Sequence, residues 1–426
     1  MFKTVFLPIV MILFILILVI FLTKKYKLSK KQIIIFFILV LFWTSVSIIR
    51  SYRKPFVITE VYNGGLGLEV ALAAQIAAAY GLISFILRLP LFFLSDALNK
   101  KKLFIQIGMC IMAIASILVV ISPSYQTLYL SSLSMGICAS MLAIFNVIFS
   151  ETFTKDNATV SVSILSSAPL LAEFIAAPIQ YMGTYGEYKN FKLLWAISAI
   201  LAIITLILTV FLKEIEVQKK ELTLNKIKEV VSNKAFIYIC FIALLQSFVK
   251  FSTSGTNMIV YNKSINMSPL MLAYSDTVFA TPQLIAGVLV GTYFIKKFRI
   301  ERTLQLGIFC TILFFLTVLI TNNPYINLIA YSLNGLGYGL IYNSLIAIAL
   351  QYFDVSYRNI SMGIFQAFFS AGIFFGDYIY KIILLLPKGI FKVNDNQNIF
   401  VITLFVSIIG IILCSINIYV NKNAKE

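Results

Sequence analysis

The chain has 426 residues, 60% of them hydrophobic and only 12% charged, whereas about a quarter of a soluble globular domain is charged, so the composition describes an integral membrane protein. Its formal net charge of +17 is the kind that attracts nucleic acid or anionic lipid, yet most of the excess falls in short loops, where it reads as membrane topology rather than as a nucleic-acid surface. Histidine is absent, which excludes imidazole-built zinc sites and histidine proton relays and leaves carboxylates as proton carriers.

Apolar runs long enough to span a bilayer occur at 5–22, 33–52, 70–94, 103–121, 127–149, 158–182, 192–212, 235–260, 270–295, 303–321, 326–351, 358–384 and 398–420. The first has Lys3 before it and Lys24, Lys25, Lys27, Lys30 and Lys31 after it. That order orients its N-terminus outside and, carried through the later spans, leaves the C-terminus cytoplasmic. The small-residue cleavage pattern of a signal peptide is missing, so 1–30 is expected to remain as an anchor helix with a basic linker.

The second run ends in Arg50, followed by Arg53 and Lys54. Spacings of three and four put all three on one helical face, either as part of a clamp for an anion or snorkelling into lipid headgroups. In the third run Arg88 stands eight residues before Asp96, about 12 Å deep, where an arginine costs about 2.5–3.5 kcal/mol on insertion scales. It should therefore face a polar interior, as a solute ligand or as the partner of a carboxylate. Asp96 opens a charged turn with Lys100, Lys101 and Lys102.

Run 158–182 holds Glu173 among small and apolar residues, a candidate for proton coupling or for pairing with a basic residue. The mixed-charge stretch 214–234 then separates a six-span half at 31–213 from a second at 235–426. At an offset of 200 residues Ser47 matches Ser247, Ser132 matches Ser332, Phe174 matches Phe374, and Lys250 answers Arg50. The basic turn recurs as well, with Lys296, Lys297, Arg299 and Arg302 answering Lys100 to Lys102. Parallel six-helix halves imply a site at their interface and access that alternates as one half rocks on the other, with Arg50 and Lys250 as a symmetry-related pair of cations.

In the second half, Asp276 lies about two turns into its span, where water is expected to reach it. Gly335, Gly337 and Gly339 recur within a membrane span, which favours close helix packing over a phosphate cradle, because a cradle needs a strand-to-helix loop. Tyr338, like Tyr80, Tyr274, Tyr331 and Tyr342, is a candidate cavity residue. Asp377 precedes Lys381 by four residues and reads either as a local ion pair or as a coupling group. Pro90, Pro169, Pro178 and Pro282 mark kinks. Cys110, Cys138, Cys240, Cys310 and Cys414 lie in apolar runs without metal or disulfide spacing and read as small buried hydrophobes.

At Leu94-Ser95-Asp96 with Lys100-Lys101 the chain resembles the major facilitator superfamily, whose loop between the second and third core helices reads G-x-L-A-D-R-x-G-R-R. Phe92 and Asn99 stand where that pattern has glycine. The resemblance covers 31–420 and implies an all-α membrane protein of the major facilitator fold, two parallel six-helix halves plus one extra N-terminal transmembrane helix. It also implies secondary transport, with Asp96, Lys100 and Lys101 as a gating turn. Arg53-Lys54, Lys250 and Asn233-Lys234 are further similar to the organophosphate:phosphate antiporters, which carry a lysine at the position of Arg88; Ser167 replaces their fifth-helix histidine. That likeness implies a phosphorylated metabolite exchanged for inorganic phosphate.

The expected role is transport of a small polar solute, an organic anion, across the cell membrane by a monomer with no cofactor and no nucleic-acid partner. Arg50, Arg53, Arg88, Lys250 and Tyr338 are expected to bind solute, and Glu173, Asp276 and Asp377 to couple or to pair. A proton-coupled exporter of drugs or amphiphiles working through Glu173 is the alternative. A membrane sensor that binds solute without moving it fits less well, because the central linker leaves little room for an output domain. No catalytic dyad, nucleotide loop or metal constellation suggests an enzyme.

Overall fold

A chain in lipid must satisfy every backbone N–H and C=O internally, and this one does so with helices. The computed structural model describes residues 2–98, 100–153, 158–212, 224–294, 297–353, 357–383, 387, 389–391 and 393–423, and all its regular elements are helical. In order these are α1 (Phe2–Tyr26), α2 (Lys30–Arg50), α3 (Arg53–Ile58), α4 (Val70–Ala97), α5 (Lys101–Ile121), α6 (Tyr125–Ser140), α7 (Leu142–Ser150), α8 (Ala158–Thr184) and α9 (Phe191–Leu208). They continue with α10 (Leu224–Ser232), α11 (Lys234–Ser252), α12 (Thr256–Ser264), α13 (Pro269–Leu289), α14 (Ile300–Ile320), α15 (Pro324–Gln351), α16 (Arg358–Ile383) and α17 (Asn398–Asn423). Among the described residues ten helical segments are long and apolar enough to cross a membrane. Rows of apolar side chains point outward, such as Ile107, Ile111, Ile114 and Ile117 on α5 and Phe405, Ile408, Ile409 and Ile412 on α17, an arrangement stable only against lipid. The protein is a multi-pass membrane protein. Cys110 shares such an outer face and is exposed, unlike the other four cysteines, which are buried as expected.

Several expected spans are interrupted. Run 235–260 breaks between Ser252 and Thr256, where Gly255 adopts φ +55° and ψ −128°, a conformation open to glycine and strained for other residues. The second run closes at Arg50 and resumes as α3 after Ser51 and Tyr52. Run 127–149 divides at Met141 into α6 and α7, and α13 passes into a π-helical stretch, Val290–Phe294. Residues 214–223 of the central linker, Lys296 and Asn99 lie outside the described residues.

The chain forms two compact units, Met1–Lys219 with Ser268–Thr277, and Lys220–Met267 with Val278–Glu426. In the first, α2 lies against α8 and α9, and α4 against α6. Several buried polar groups return to helix backbones or to one another: Ser198 Oγ donates to Ser45 O at 2.6 Å and Trp195 Nε1 to Ser131 Oγ at 2.9 Å. The extra helix α1 packs on α8, with Phe14 stacked on Phe174 and Leu7 and Met11 against Ala177, Ala273 and Tyr274.

In the second unit α11 packs on α16, and α14 on α15. The glycine stripe of α15 works as close-packing surface. A Cβ at Gly335 or Gly339 would strike backbone of α13 at Phe279 or Gln283, and one at Gly337 would meet the Gly307 carbonyl of α14.

Candidate functional site

The two unit interiors hold different arrangements around equivalent cations. Arg50 and Lys250 each occupy the last turn of a broken helix, α2 and α11, where unpaired carbonyls favour positive charge by about 0.3–1 kcal/mol. Lys250 therefore stands two residues before a helix end rather than deep in an unbroken span, because Gly255 stops the helix.

In the first unit the end of α2 is tied to α8 through Glu173. Arg50 Nη2 meets Glu173 Oε1 at 2.5 Å, and Ser47 Oγ donates to the same oxygen at 2.8 Å. Ser47 and Arg50 are three apart on one face, so a single carboxylate gathers both. Farther along α8, Gln180 Nε2 donates to the Ser47 and Ile48 carbonyls at 3.0 and 3.2 Å, covering acceptors that a terminating helix would leave open. Ser51, in the turn after α2, donates to Asp276 Oδ2, and Thr277 Oγ1 reaches the Glu173 carbonyl at 3.3 Å. Asp276 is buried, contrary to the expectation that water reaches it, because the α2–α3 turn covers it.

Arg53 and Arg88 make different contacts. Arg53 Nε donates to Arg50 O at 2.9 Å, its Nη1 to Ala77 O at 3.0 Å and Ser132 Oγ at 2.7 Å, and its guanidinium lies 5.2 Å from the Tyr80 ring centre. It joins α3 to α4 and α6. Arg88 Nη2 donates to Ala139 O at 3.2 Å, one α6 heptad from Ser132 and so about 10 Å from the Arg53 level. Arg50, Arg53, Glu173 and Asp276 thus gather around the end of α2, while Arg88 joins α4 to α6 elsewhere in the same unit.

In the second unit Lys250 Nζ lies 4.0 Å from the ring centre of Tyr338, 4.8 Å from Phe251 and 5.5 Å from Phe279. Tyr338 stacks on Tyr342 at 5.9 Å, Tyr342 meets Phe369 at 5.3 Å, and Gln366 Nε2 donates to Tyr342 Oη at 3.2 Å. Asp377 accepts from Asn257 Nδ2 at 3.0 Å, and the same amide donates to Phe251 O at 2.9 Å. Asn257 thereby links the break after α11 to a carboxylate on α16.

A family model described as the Major Facilitator Superfamily matches residues 34–376. The chain belongs to the Major Facilitator Superfamily. Its fold agrees with solved members of several transporter groups. The nucleoside transporter NupG superposes with a TM-score of 0.69 at 14% identity, covering 92% of this chain and 99% of that one. A POT family transporter in complex with 5-aminolevulinic acid gives 0.74 at 11%, covering 93% and 96%. A bacterial homologue of the human lysosomal transporter Spinster, inward-facing and occupied, gives 0.67 at 10%, covering 92% and 96%. No curated protein matches. Superfamily membership makes the chain a transporter rather than an enzyme.

At the turn that carries the superfamily resemblance, Asp96 lies in the last turn of α4 and Lys100 precedes α5. Lys101 Nζ pairs with Glu151 Oε1 at 2.6 Å, just past α7, and Lys102 Nζ donates to Val210 O at 3.0 Å. Glu151, Gln180, Asn257 and Gln366 were not singled out by the sequence. Each is a polar residue near a helix end or on a tyrosine-facing surface, and in one sequence such residues look like ordinary loop or face polarity. Ser47 did carry a signal, through its match to Ser247 and its spacing from Arg50.

Proposed function

We propose that this transporter moves a small organic anion across the cell membrane by alternating access, with Lys250 holding the charge of the solute and Glu173 linking transport to a proton. The observation that carries the reading is Lys250 on the ring faces of Tyr338, Phe251 and Phe279. A ring face attracts an ammonium by about 0.5–2 kcal/mol without cancelling its charge, so it fixes the position of a cation that an anion can still recognise. Arg50 shares Glu173 with Ser47. Protonating Glu173 removes the charge that holds α2 to α8, which gives the coupling group a mechanical consequence at the end of α2. Lys101 with Glu151 serves as a second latch at the turn between α4 and α5.

Exchange of a phosphate ester for inorganic phosphate is the form of this reading that the organophosphate likeness favours. Arg53 and Arg88 are assigned to holding helices together, on the strength of their carbonyl and hydroxyl acceptors. The test is flux into proteoliposomes loaded with phosphate, offered glycerol phosphate, benzoate and phenyl phosphate in turn. Uptake of at least one anion, with half-saturation raised about tenfold or more by Lys250→Gln, supports the reading. Uptake of neutral solutes alone, indifferent to Lys250→Gln, would overturn it.

A further inference from the structure

We propose that the face of α15 carrying Tyr331, Asn334, Tyr338 and Tyr342 binds a ring-bearing organic anion, its ring against the tyrosines and its acceptor oxygens on Lys250 and the Asn334 amide. The inference rests on the anion reading above and names the class of solute.

Positions 331, 334, 338 and 342 are separated by three, four and four residues, so they line one side of the helix. Gly335, on the same side, lets the α13 backbone at Phe279 come up to α15, because any Cβ there would strike the Phe279 carbonyl. The result is a continuous run of rings. Tyr331 meets Phe279 at 4.9 Å, Phe279 meets Tyr338 at 6.3 Å, Tyr338 stacks on Tyr342 at 5.9 Å with 19° between planes, and Tyr342 meets Phe369 at 5.3 Å. Lys250 sits on this run at Tyr338.

Asn334 supplies an independent observation. It is 2% exposed, and its Nδ2 has no hydrogen-bond partner among the described residues. A buried amide N–H₂ left without an acceptor is unfavourable, so an acceptor belongs there when the site is filled. The ammonium of Lys250 and this amide are both donors, which selects an acceptor-rich, negatively charged group. Aromatic faces add selectivity for a planar ring, which they stack more closely than they pack a saturated chain. Aryl carboxylates and aryl phosphates combine the two features.

The experiment uses the purified full-length protein and calorimetric titration with phenyl phosphate, glycerol phosphate and benzyl alcohol. Phenyl phosphate is expected to bind about tenfold or more tightly than glycerol phosphate. Tyr338→Leu should weaken phenyl phosphate by about that factor and glycerol phosphate far less. Asn334→Leu and Lys250→Gln should weaken both phosphates and spare benzyl alcohol. The wild-type preference needs no variant to fold, so equal binding of the two phosphates, or no binding of either, overturns the proposal by itself; so does a preference that survives Tyr338→Leu. Selective binding without flux in proteoliposomes would sink the transport reading and leave this subsite standing. Flux of aliphatic and aryl anions at equal half-saturation would do the reverse.

Discussion

Arg53 and Lys250 read alike in sequence, as cations expected to bind the solute, but their surroundings differ. Arg53 has carbonyl and hydroxyl acceptors on α4 and α6, and each such charged hydrogen bond is worth about 1.5–3 kcal/mol. Arg53→Gln should therefore lower the melting temperature in detergent by several degrees and leave the half-saturation of the surviving protein within about twofold. Lys250→Gln should raise half-saturation, because it removes the positive charge held on the Tyr338 ring face. Glu173→Gln keeps a hydrogen-bond acceptor for Ser47 and Arg50 but cannot take up a proton. Wild-type uptake should quicken when an inward proton gradient is imposed, and uptake by Glu173→Gln should be indifferent to it with binding retained. A gradient response that persists in the variant would remove Glu173 from coupling.

At the scale of the helix, the decisive features are two breaks and one stripe. Gly255 sits at a positive φ where a β-branched residue is strained by about 1–3 kcal/mol. Gly255→Val should lower the melting temperature and slow transport, measured on the same preparation, because it stiffens or displaces the start of α12 and with it Asn257. Gly337→Leu should be harsher, since α15 meets the α14 backbone there and overpacking typically costs about 1–3 kcal/mol. Periodicity and hydropathy made the apolar runs legible, and the stripe Gly335, Gly337, Gly339 read correctly as packing surface. The breaks after Arg50 and Ser252 were not legible, because α3 and α12 contain enough apolar residues to prolong the hydropathy signal across them. The pairings were also hidden. Glu173 had two open roles in sequence, proton coupling or pairing with a basic residue, and only the packing of α2 on α8 brings Arg50 to it.

The whole molecule repeats its design at an offset of 200 residues while changing its chemistry. In one unit a broken first helix is tied to Glu173 on α8, and in the other a broken helix is linked through Asn257 to Asp377 on α16. That correspondence follows the 200-residue offset of matching positions in the sequence; the difference in surroundings, Glu173 at Arg50 and ring faces at Lys250, was not legible there. An alternating-access carrier must return its site empty or exchanged, whereas a pore need not. The most direct test is therefore solute counterflow. Proteoliposomes preloaded with unlabelled phenyl phosphate should transiently accumulate labelled phenyl phosphate above equilibrium, with the overshoot lost or greatly slowed in Lys250→Gln. Monotonic equilibration without overshoot for every anion offered, or an overshoot unchanged by Lys250→Gln, would contradict the account.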